Sequence, residues 1–484
     1  MTLDEIAAAV HGRLVPPAAD AGVTAAAPEV GAVVVSSAVV SDSRQATPGS
    51  LYVARIGEHA DGHDFAVAAA ERGAVATLGL RPVGVHPTVV VADVQDAFAA
   101  LGAEVLRRCR GLRIIGITGS SGKTTTKDLL AQVLRTAGET IAPVGSLNSE
   151  VGVPLTACRV TEKTRFLVAE MGASGVGHIR YLTTIAPPSI GVVLNVGSAH
   201  LGPFGSLEAI ARTKSELVQA LPADGVAVLN ADDELVAAMA AATPAHVVSV
   251  GRGERADLRA TDVSIDARGF AGFRVRGRVR TPVGDELLDA VIERLAVPGE
   301  HQIGNVLAVI AAAAAAGVPV LEAVGAASSA TVLSRWRMEV HDLPDGITLV
   351  NDAYNANPES MHAALRALAA MRAGRRTVAV LGAMRELGPE SDRLHATVGA
   401  QAAELGLDLV IAVGEAAPIA DGVRGPGTQV RLVPDPDSAE QLLAEILTPG
   451  DVVLFKSSRD SGLRHLGDRV ARAHGAVIQE GATA

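Results

Sequence analysis

The stretch that most constrains this chain is Ile114-Ile115-Gly116-Ile117-Thr118-Gly119-Ser120-Ser121-Gly122-Lys123-Thr124-Thr125-Thr126. An apolar, β-branched run enters a glycine-rich turn, and a segment with helical spacing (Leu129, Leu130, Val133, Leu134) follows Lys123. Strand, glycine turn and helix N-terminus together make an anion cradle, because backbone N–H groups and the helix dipole both favour negative charge there. Lys123 can reach outer phosphates, and the Thr124 hydroxyl can hold a magnesium ion. Strict Walker spacing would put glycine where Ile117 stands, so this is a shortened P-loop. A plain glycine-rich βα turn of a doubly wound domain is the weaker reading. The stretch from Thr118 through Gly119, Ser120, Ser121, Gly122, Lys123 and Thr124 to Thr125 is expected to bind a nucleoside triphosphate.

A chain of 484 residues has room for two to four domains of roughly 100–200 residues each. With 48% hydrophobic but only 2% aromatic residues, the cores must be built from Ala, Val, Leu and Ile. The net charge of −11, the lack of a long basic run and the scarcity of rings for base stacking argue against a nucleic-acid surface. Cys109 and Cys158, the two cysteines, form no CxxC pair and fit a reducing compartment. Asp4 and Glu5 stand where a signal peptide would carry basic residues. The longest apolar run, Val306 to Val320, contains Gly317 and Pro319 and is too short to span a bilayer, so it is expected to be a buried Ala-rich helix. The expectation is a cytoplasmic, monomeric protein that does not engage membranes.

Three units are expected. Residues 1–110 carry short strand-like runs at Ala32–Val35, Leu51–Val53 and Thr88–Val91 and two polar clusters, Ser41-Asp42-Ser43-Arg44 and Asp61-Gly62-His63-Asp64-Phe65. Each cluster reads as a solvated turn or as a pocket for a charged, hydroxylated ligand. Residues 111–332 alternate strand and helix, with buried strands at Ile114–Thr118, Phe166–Glu170, Ile190–Val196 and Val226–Leu229, which implies a mostly parallel sheet covered on both faces. Ligands sit beyond the carboxyl ends of such strands, where the P-loop, Glu170, Asn195 and Asn230 fall. Residues 333–484 repeat the α/β pattern with strands at Thr348–Val350, Val378–Leu381, Val410–Val413 and Val452–Phe455, and resemble a Rossmann-like domain without a second P-loop. The fold class is therefore α/β: a small N-terminal unit, a central P-loop unit and a C-terminal Rossmann-like unit.

Phosphoryl transfer also needs a metal bound through oxygen ligands with positions left for phosphate. Glu170 reads as a metal ligand or as a solvated strand-end acid. His200, in a loop past a third strand end, is evenly balanced between ligand and surface residue. Lys214, on a helix expected to be capped by Ser206, reads on sequence alone as a solvated cation.

Taken together these residues resemble the Mur ligase family, ATP-dependent amide-forming enzymes of peptidoglycan precursor synthesis, along essentially the whole chain. The matching motifs are the short P-loop, Asn148 to Thr156, Gly299 to Asn305, Arg337-Met338-Glu339, Asp352 to Pro358, Leu381 to Gly388 and Lys456-Ser457-Ser458-Arg459. The resemblance implies magnesium, as two ions, held by Thr124, Glu170, His200 and a carbamylated Lys214. It implies ATP contacts from Asn305, Arg337 and Asp352. Ser43, Arg44, Asp61 and His63 would hold the UDP-sugar end, and Asn148, Tyr354, Asn355 and Asn357 would contact substrate. Asp352-Ala353-Tyr354-Asn355-Ala356-Asn357-Pro358 resembles the branch that joins UDP-N-acetylmuramoyl-tripeptide to D-alanyl-D-alanine. Rival readings are another Mur-type or folylpolyglutamate-type ligase, and a P-loop NTPase switch that makes no bond.

Overall fold

The computed structural model describes residues 1–18, 27–198 and 201–478. It has the expected α/β architecture, built on three sheets, each with its own apolar core. The N-terminal sheet has the order Arg13–Val15, Thr88–Val90, Ala76–Gly79, Leu51–Val53, Val39–Val40, parallel except at its first pair. Ala32–Val35 is not one of its strands. Only Val34 pairs, in a single bridge to Thr2, because the backbone beside it is taken up by the first residues: Leu3 N donates to Val33 O and Val35 N donates to Met1 O, each at 2.9 Å.

The central sheet has nine strands. The P-loop strand, Arg113–Thr118, lies between Phe166–Glu170 and Ile190–Val193, with Val226–Asn230 and His246–Gly251 beyond, all parallel. Strand 190–193 ends three residues earlier than its apolar run predicts, because Leu194 and Asn195 leave the ladder to serve the P-loop. The strand–helix alternation also stops earlier than expected. Leu258–Ile265, Ala271–Thr281 and Gly284–Ile292 form an antiparallel meander on the sheet edge. In Ala271–Thr281 the residues Phe273, Val275 and Val279 point into the core, while Arg274, Arg276, Arg278 and Arg280 occupy the other face. That strict period of two is the sequence signal for a half-buried antiparallel strand.

The Ala-rich run is a buried helix, Gln302–Ala315, packed on the P-loop helix Lys123–Arg135. Small side chains let the two helices approach closely while still removing apolar surface from water. Among the described residues, no helix is long and apolar enough to cross a membrane.

The third sheet runs Glu339–Asp342, Thr348–Asp352, Val452–Lys456, Thr377–Leu381, Leu409–Val413, Gln429–Val433, parallel except at its first pair. The strand carboxyl ends deliver Asp352 and Lys456 toward the central sheet. The linker between the two sheets is strapped to the P-loop helix: Leu333 N and Ser334 N donate to Asp128 Oδ2 at 3.1 and 2.8 Å. Two further contacts hold the third sheet over the site. Ser198 N donates to Glu359 Oε1 at 2.8 Å, and Asn357 Nδ2 donates to Ser120 O at 3.4 Å.

Candidate active site

The P-loop helix begins at Gly122, whose φ of 78° lies in the left-handed region and whose turn supplies no side-chain cap. The first N–H groups of this helix are therefore left for an anion. Only glycine suits the position, since a Cβ there would sit 2.7 Å from Asn305 Oδ1. The loop is held from behind: Asn195 Oδ1 accepts Ser121 N at 2.9 Å, Asn195 O accepts Ser120 N at 3.1 Å, and Gly197 N donates to Ser120 Oγ at 2.8 Å. Lys123 Nζ donates to Gly119 O at 2.7 Å, within the loop.

These groups line a cavity of about 450 Å³ between the central and third sheets. From the central unit come residues 119–125, Ser146, Asn148, Glu170, Asn195, Lys214, His301, Gln302 and Asn305; from the third come Arg337, Asp352, Tyr354, Asn355, Asn357 and Lys456. A cavity of this size suits a nucleotide-sized ligand. Thr118 lies just behind, buried, with its hydroxyl unpaired.

Glu170 ends its strand buried at 1% exposure. Its Oε1 accepts Asn148 Nδ2 at 2.7 Å and Ser146 Oγ at 3.2 Å, while Oε2 is buried without a hydrogen-bond partner. A buried carboxylate oxygen with no partner is costly unless something binds it. Together with the Thr124 hydroxyl it offers hard oxygen donors in the same cavity, the chemistry magnesium prefers. Asn148 thus orients Glu170 while also lining the cavity in which a substrate contact is expected of it. Among the described residues no group of three His, Cys, Asp or Glu side chains forms a metal cage, so phosphate and water oxygens would complete the shell.

Lys214 is not the solvated cation that its helical context implies. Its helix, Leu207–Gln219, is capped by Ser206 as expected, yet the side chain is only 8% exposed and faces the cavity. Burial, then the nearby Lys123 charge, push its pKa well below that of an ordinary lysine. Burial likewise lowers Lys123, against the pull of Glu170. His200 lies outside the described residues.

On the third sheet, the buried Lys456 ammonium pairs with Asp352 Oδ2 at 2.7 Å and donates to Asn355 O at 3.0 Å, while Asp352 Oδ1 accepts Met338 N at 3.0 Å. Arg337 lies 4.3 Å from the Tyr354 ring centre, with Arg459 on that ring too, at 5.9 Å. Asn357 caps the helix Pro358–Ala370 through Ser360 N at 2.8 Å, so this amide serves the fold and the junction between units.

Other expected site residues lie elsewhere. Asn230 does not line the cavity; its amide donates to Leu194 O at 2.8 Å and supports the strand-end turn. Ser43, Arg44, Asp61 and His63 belong to the N-terminal unit, away from this cavity. His63 is not available to a ligand. Its ring is buried, with Nδ1 on Asp61 Oδ1 at 2.6 Å and Nε2 accepting Leu80 N at 2.9 Å. Asp61 is held well below the usual carboxylate range by the His63 N–H, then by Arg81 and the His63 ring. Arg44 is largely exposed and forms a fork with Asp42. The strand-end rule places Asn195 at the site, and the structure has it there; Lys456 and His301 line the cavity without being expected as site residues. The same rule, applied to the strand Val452–Lys456, would find Lys456.

Comparison with known proteins agrees with this geometry. Residues 35–110, 117–313 and 336–459 match the families described as Mur ligase family, catalytic domain; Mur ligase middle domain; and Mur ligase, glutamate ligase domain. The chain is 44% identical over 480 residues to the UDP-N-acetylmuramoyl-tripeptide--D-alanyl-D-alanine ligase of Mycobacterium bovis, covering 90% of this chain and 92% of that one. It resembles the crystal structure of MurF from Acinetobacter baumannii with a TM-score of 0.82 at 29% identity, over 97% and 98% of the two chains. It also resembles the MurF ligase of Thermotoga maritima in complex with ADP, with a TM-score of 0.75 at 30% identity, over 90% and 98% of the two chains. A shortened P-loop under a second α/β layer, matched by these relatives over nearly the full chain, places the protein in the Mur ligase family.

Proposed function

We propose that this protein is an ATP-dependent amide ligase that joins UDP-N-acetylmuramoyl-tripeptide to D-alanyl-D-alanine, releasing ADP and phosphate. The observation that carries the reading is the single cavity in which the P-loop and Glu170 meet Arg337, Asp352 and Lys456 of the third sheet. The 44% identity to a ligase of that name selects the substrates.

A carboxylate is a poor electrophile because oxide does not leave. Attack of a tripeptide carboxylate oxygen on the γ-phosphorus releases ADP and gives an acyl phosphate. The dipeptide amine then adds to the acyl carbon, phosphate departs with the bridging oxygen, and the amine proton passes to solvent or a base. In this scheme the P-loop N–H groups and Lys123 hold the β- and γ-phosphates, and Arg337 adds positive charge from the opposite wall. Asp352, fixed by Lys456, is the acceptor for the ribose hydroxyls, and the cavity walls exclude water from the acyl phosphate. Magnesium would be held by Thr124 and Glu170, and bound there it supplies charge neutralisation on the phosphates.

The buried Lys214 amine, whose pKa burial lowers, is suited once deprotonated to add carbon dioxide, giving a carbamate anion and a proton. That would make the Lys214 side chain an oxygen ligand, and the family resemblance pairs it with His200 for a second magnesium. A carbon-13 bicarbonate label should give a carbamate signal that is lost in Lys214→Ala along with nearly all turnover. A fully active Lys214→Ala variant removes the carbamate from the account. Because the reaction consumes ATP and a nucleotide-linked acid, we place it in the cytoplasm.

The test of the whole reading is coupling. ADP release should require both the UDP-linked tripeptide and D-alanyl-D-alanine, and match product one for one. ADP release indifferent to the dipeptide would instead favour an NTPase switch.

A further inference from the structure

Arg337 reaches the nucleotide cavity from a backbone that does not hold itself in place. Its neighbours Trp336 (φ 60°) and Met338 (φ 51°) both adopt the left-handed region, which side-chain-bearing residues keep only when the surroundings hold them. Three restraints come from nearby backbone and side chains: Glu339 Oε2 accepts Trp336 N at 2.9 Å, Tyr354 N donates to Trp336 O at 3.2 Å, and Asp352 Oδ1 accepts Met338 N.

A fourth, at the side chains, comes from the C-terminal helix Leu463–Ala473. Its Asp468 side chain is 6% exposed, accepts Arg335 Nη2 at 2.8 Å, and takes the Trp336 indole N–H at 3.0 Å through Oδ2. Asn351 Nδ2 adds a bond at 3.2 Å. Gly467 permits this approach, since a Cβ there would meet Asn351 Nδ2 at 2.5 Å. The Trp336 ring is enclosed by the Arg335 and Arg464 guanidinium groups at 5.0 and 5.1 Å and by the edge of His465 at 5.5 Å. Neither Asp468 nor Trp336 lines the cavity. A buried carboxylate that accepts from three side chains nonetheless fixes both the residue before Arg337 and the one before that.

We propose that Asp468 is a positioning residue for ATP: by gripping Arg335 and the Trp336 indole it fixes the left-handed turn that aims Arg337 at the nucleotide. This rests on the ligase reading, in which Arg337 meets the phosphates.

The test is steady-state kinetics of the full chain carrying Asp468→Asn, Trp336→Phe (which removes only the indole N–H), Arg337→Ala, and the Asp468→Asn/Arg337→Ala pair. The single Asp468→Asn variant should raise KM for ATP about tenfold, the size of one lost charge-assisted bond, with KM for D-alanyl-D-alanine unchanged. Trp336→Phe should move KM for ATP the same way. In the Arg337→Ala background Asp468→Asn should add nothing, because the group it acts through is gone. Trp336 is the one tryptophan of the sequence, so its fluorescence should shift to the red in Asp468→Asn and report whether the turn has opened. Additive effects in the double variant, or unchanged KM for ATP in both Asp468→Asn and Trp336→Phe, overturn the proposal. An Arg337→Ala variant with normal KM for ATP would instead overturn the reading of Arg337. Should Asp468→Asn fail to fold, the Trp336→Phe and Trp336→Phe/Arg337→Ala comparison decides alone.

Discussion

The buried pair of Asp352 and Lys456 allows stability and activity to be separated. The Lys456 side chain is 2% exposed and the Asp352 side chain 16%. Asp352→Ala leaves an ammonium in the wall of the cavity with backbone carbonyls as its remaining acceptors: Asn355 O at 3.0 Å and residue 352 O at 3.4 Å. Breaking a buried pair costs about 3–5 kcal/mol, and the remaining carbonyls favour the lower end, about 3 kcal/mol. Loss of the acceptor for Met338 N adds about 1 kcal/mol. The total of about 4 kcal/mol corresponds to a fall of about 8–16 °C in the calorimetric transition that reports the third sheet. Adding Lys456→Met removes the orphaned charge, since an apolar pair in place of a buried ion pair is close to neutral. The double variant should therefore recover about 3 kcal/mol of stability while its ATP affinity remains lost, because the nucleotide contact of Asp352 is not restored. A double variant as unstable as Asp352→Ala would refute this account of the pair, and so would a double variant with wild-type KM for ATP.

Gly122→Ala should raise KM for ATP at least tenfold: the left-handed φ costs an alanine about 1–2 kcal/mol, and its Cβ would press on Asn305. Asn148→Leu removes the 2.7 Å donor that orients Glu170, so the magnesium concentration for half-maximal activity should rise about tenfold, with little change in KM for the dipeptide. Glu359→Ala cuts both bonds to Ser198 and should raise KM for ATP a few-fold through weaker closure of the third sheet, measured alongside small-angle scattering with and without an ATP analogue. Burial pushes the Cys158 thiol up to about 12, so the folded protein should resist iodoacetamide at Cys158 at pH 8, and labelling should quicken only above pH 10 or on unfolding.

What could be read from the sequence follows from how local each signal is. The P-loop, the strand end at Glu170 and the Ala-rich helix are continuous segments whose spacing carries their own geometry, and the structure has all of them as elements. The meander carries its own signal, Arg274, Arg276, Arg278 and Arg280 alternating with core residues, but the α/β rhythm before it masks that change of period. Strand-end logic brought Asn195 to the cavity but misplaced Asn230, whose side chain is spent on a turn two strands away from the loop strand. Lys214 and His63 show the limit of the method. Whether a lone lysine on an amphipathic helix is solvated depends on what packs above it, and whether a histidine is free depends on partners as distant as Leu80. The links from Asp352 to Lys456 and from Trp336 to Asp468 span more than a hundred residues, so no local pattern announces them.

The central claim is that the terminal phosphate of ATP is handed to a peptide carboxylate before the amide forms. Its most direct test is oxygen-isotope transfer, with the tripeptide carboxylate labelled with oxygen-18 and the released phosphate examined by phosphorus-31 NMR. The account predicts that every phosphate released carries one labelled oxygen from the carboxylate. Unlabelled phosphate, released while amide is being made, would contradict it.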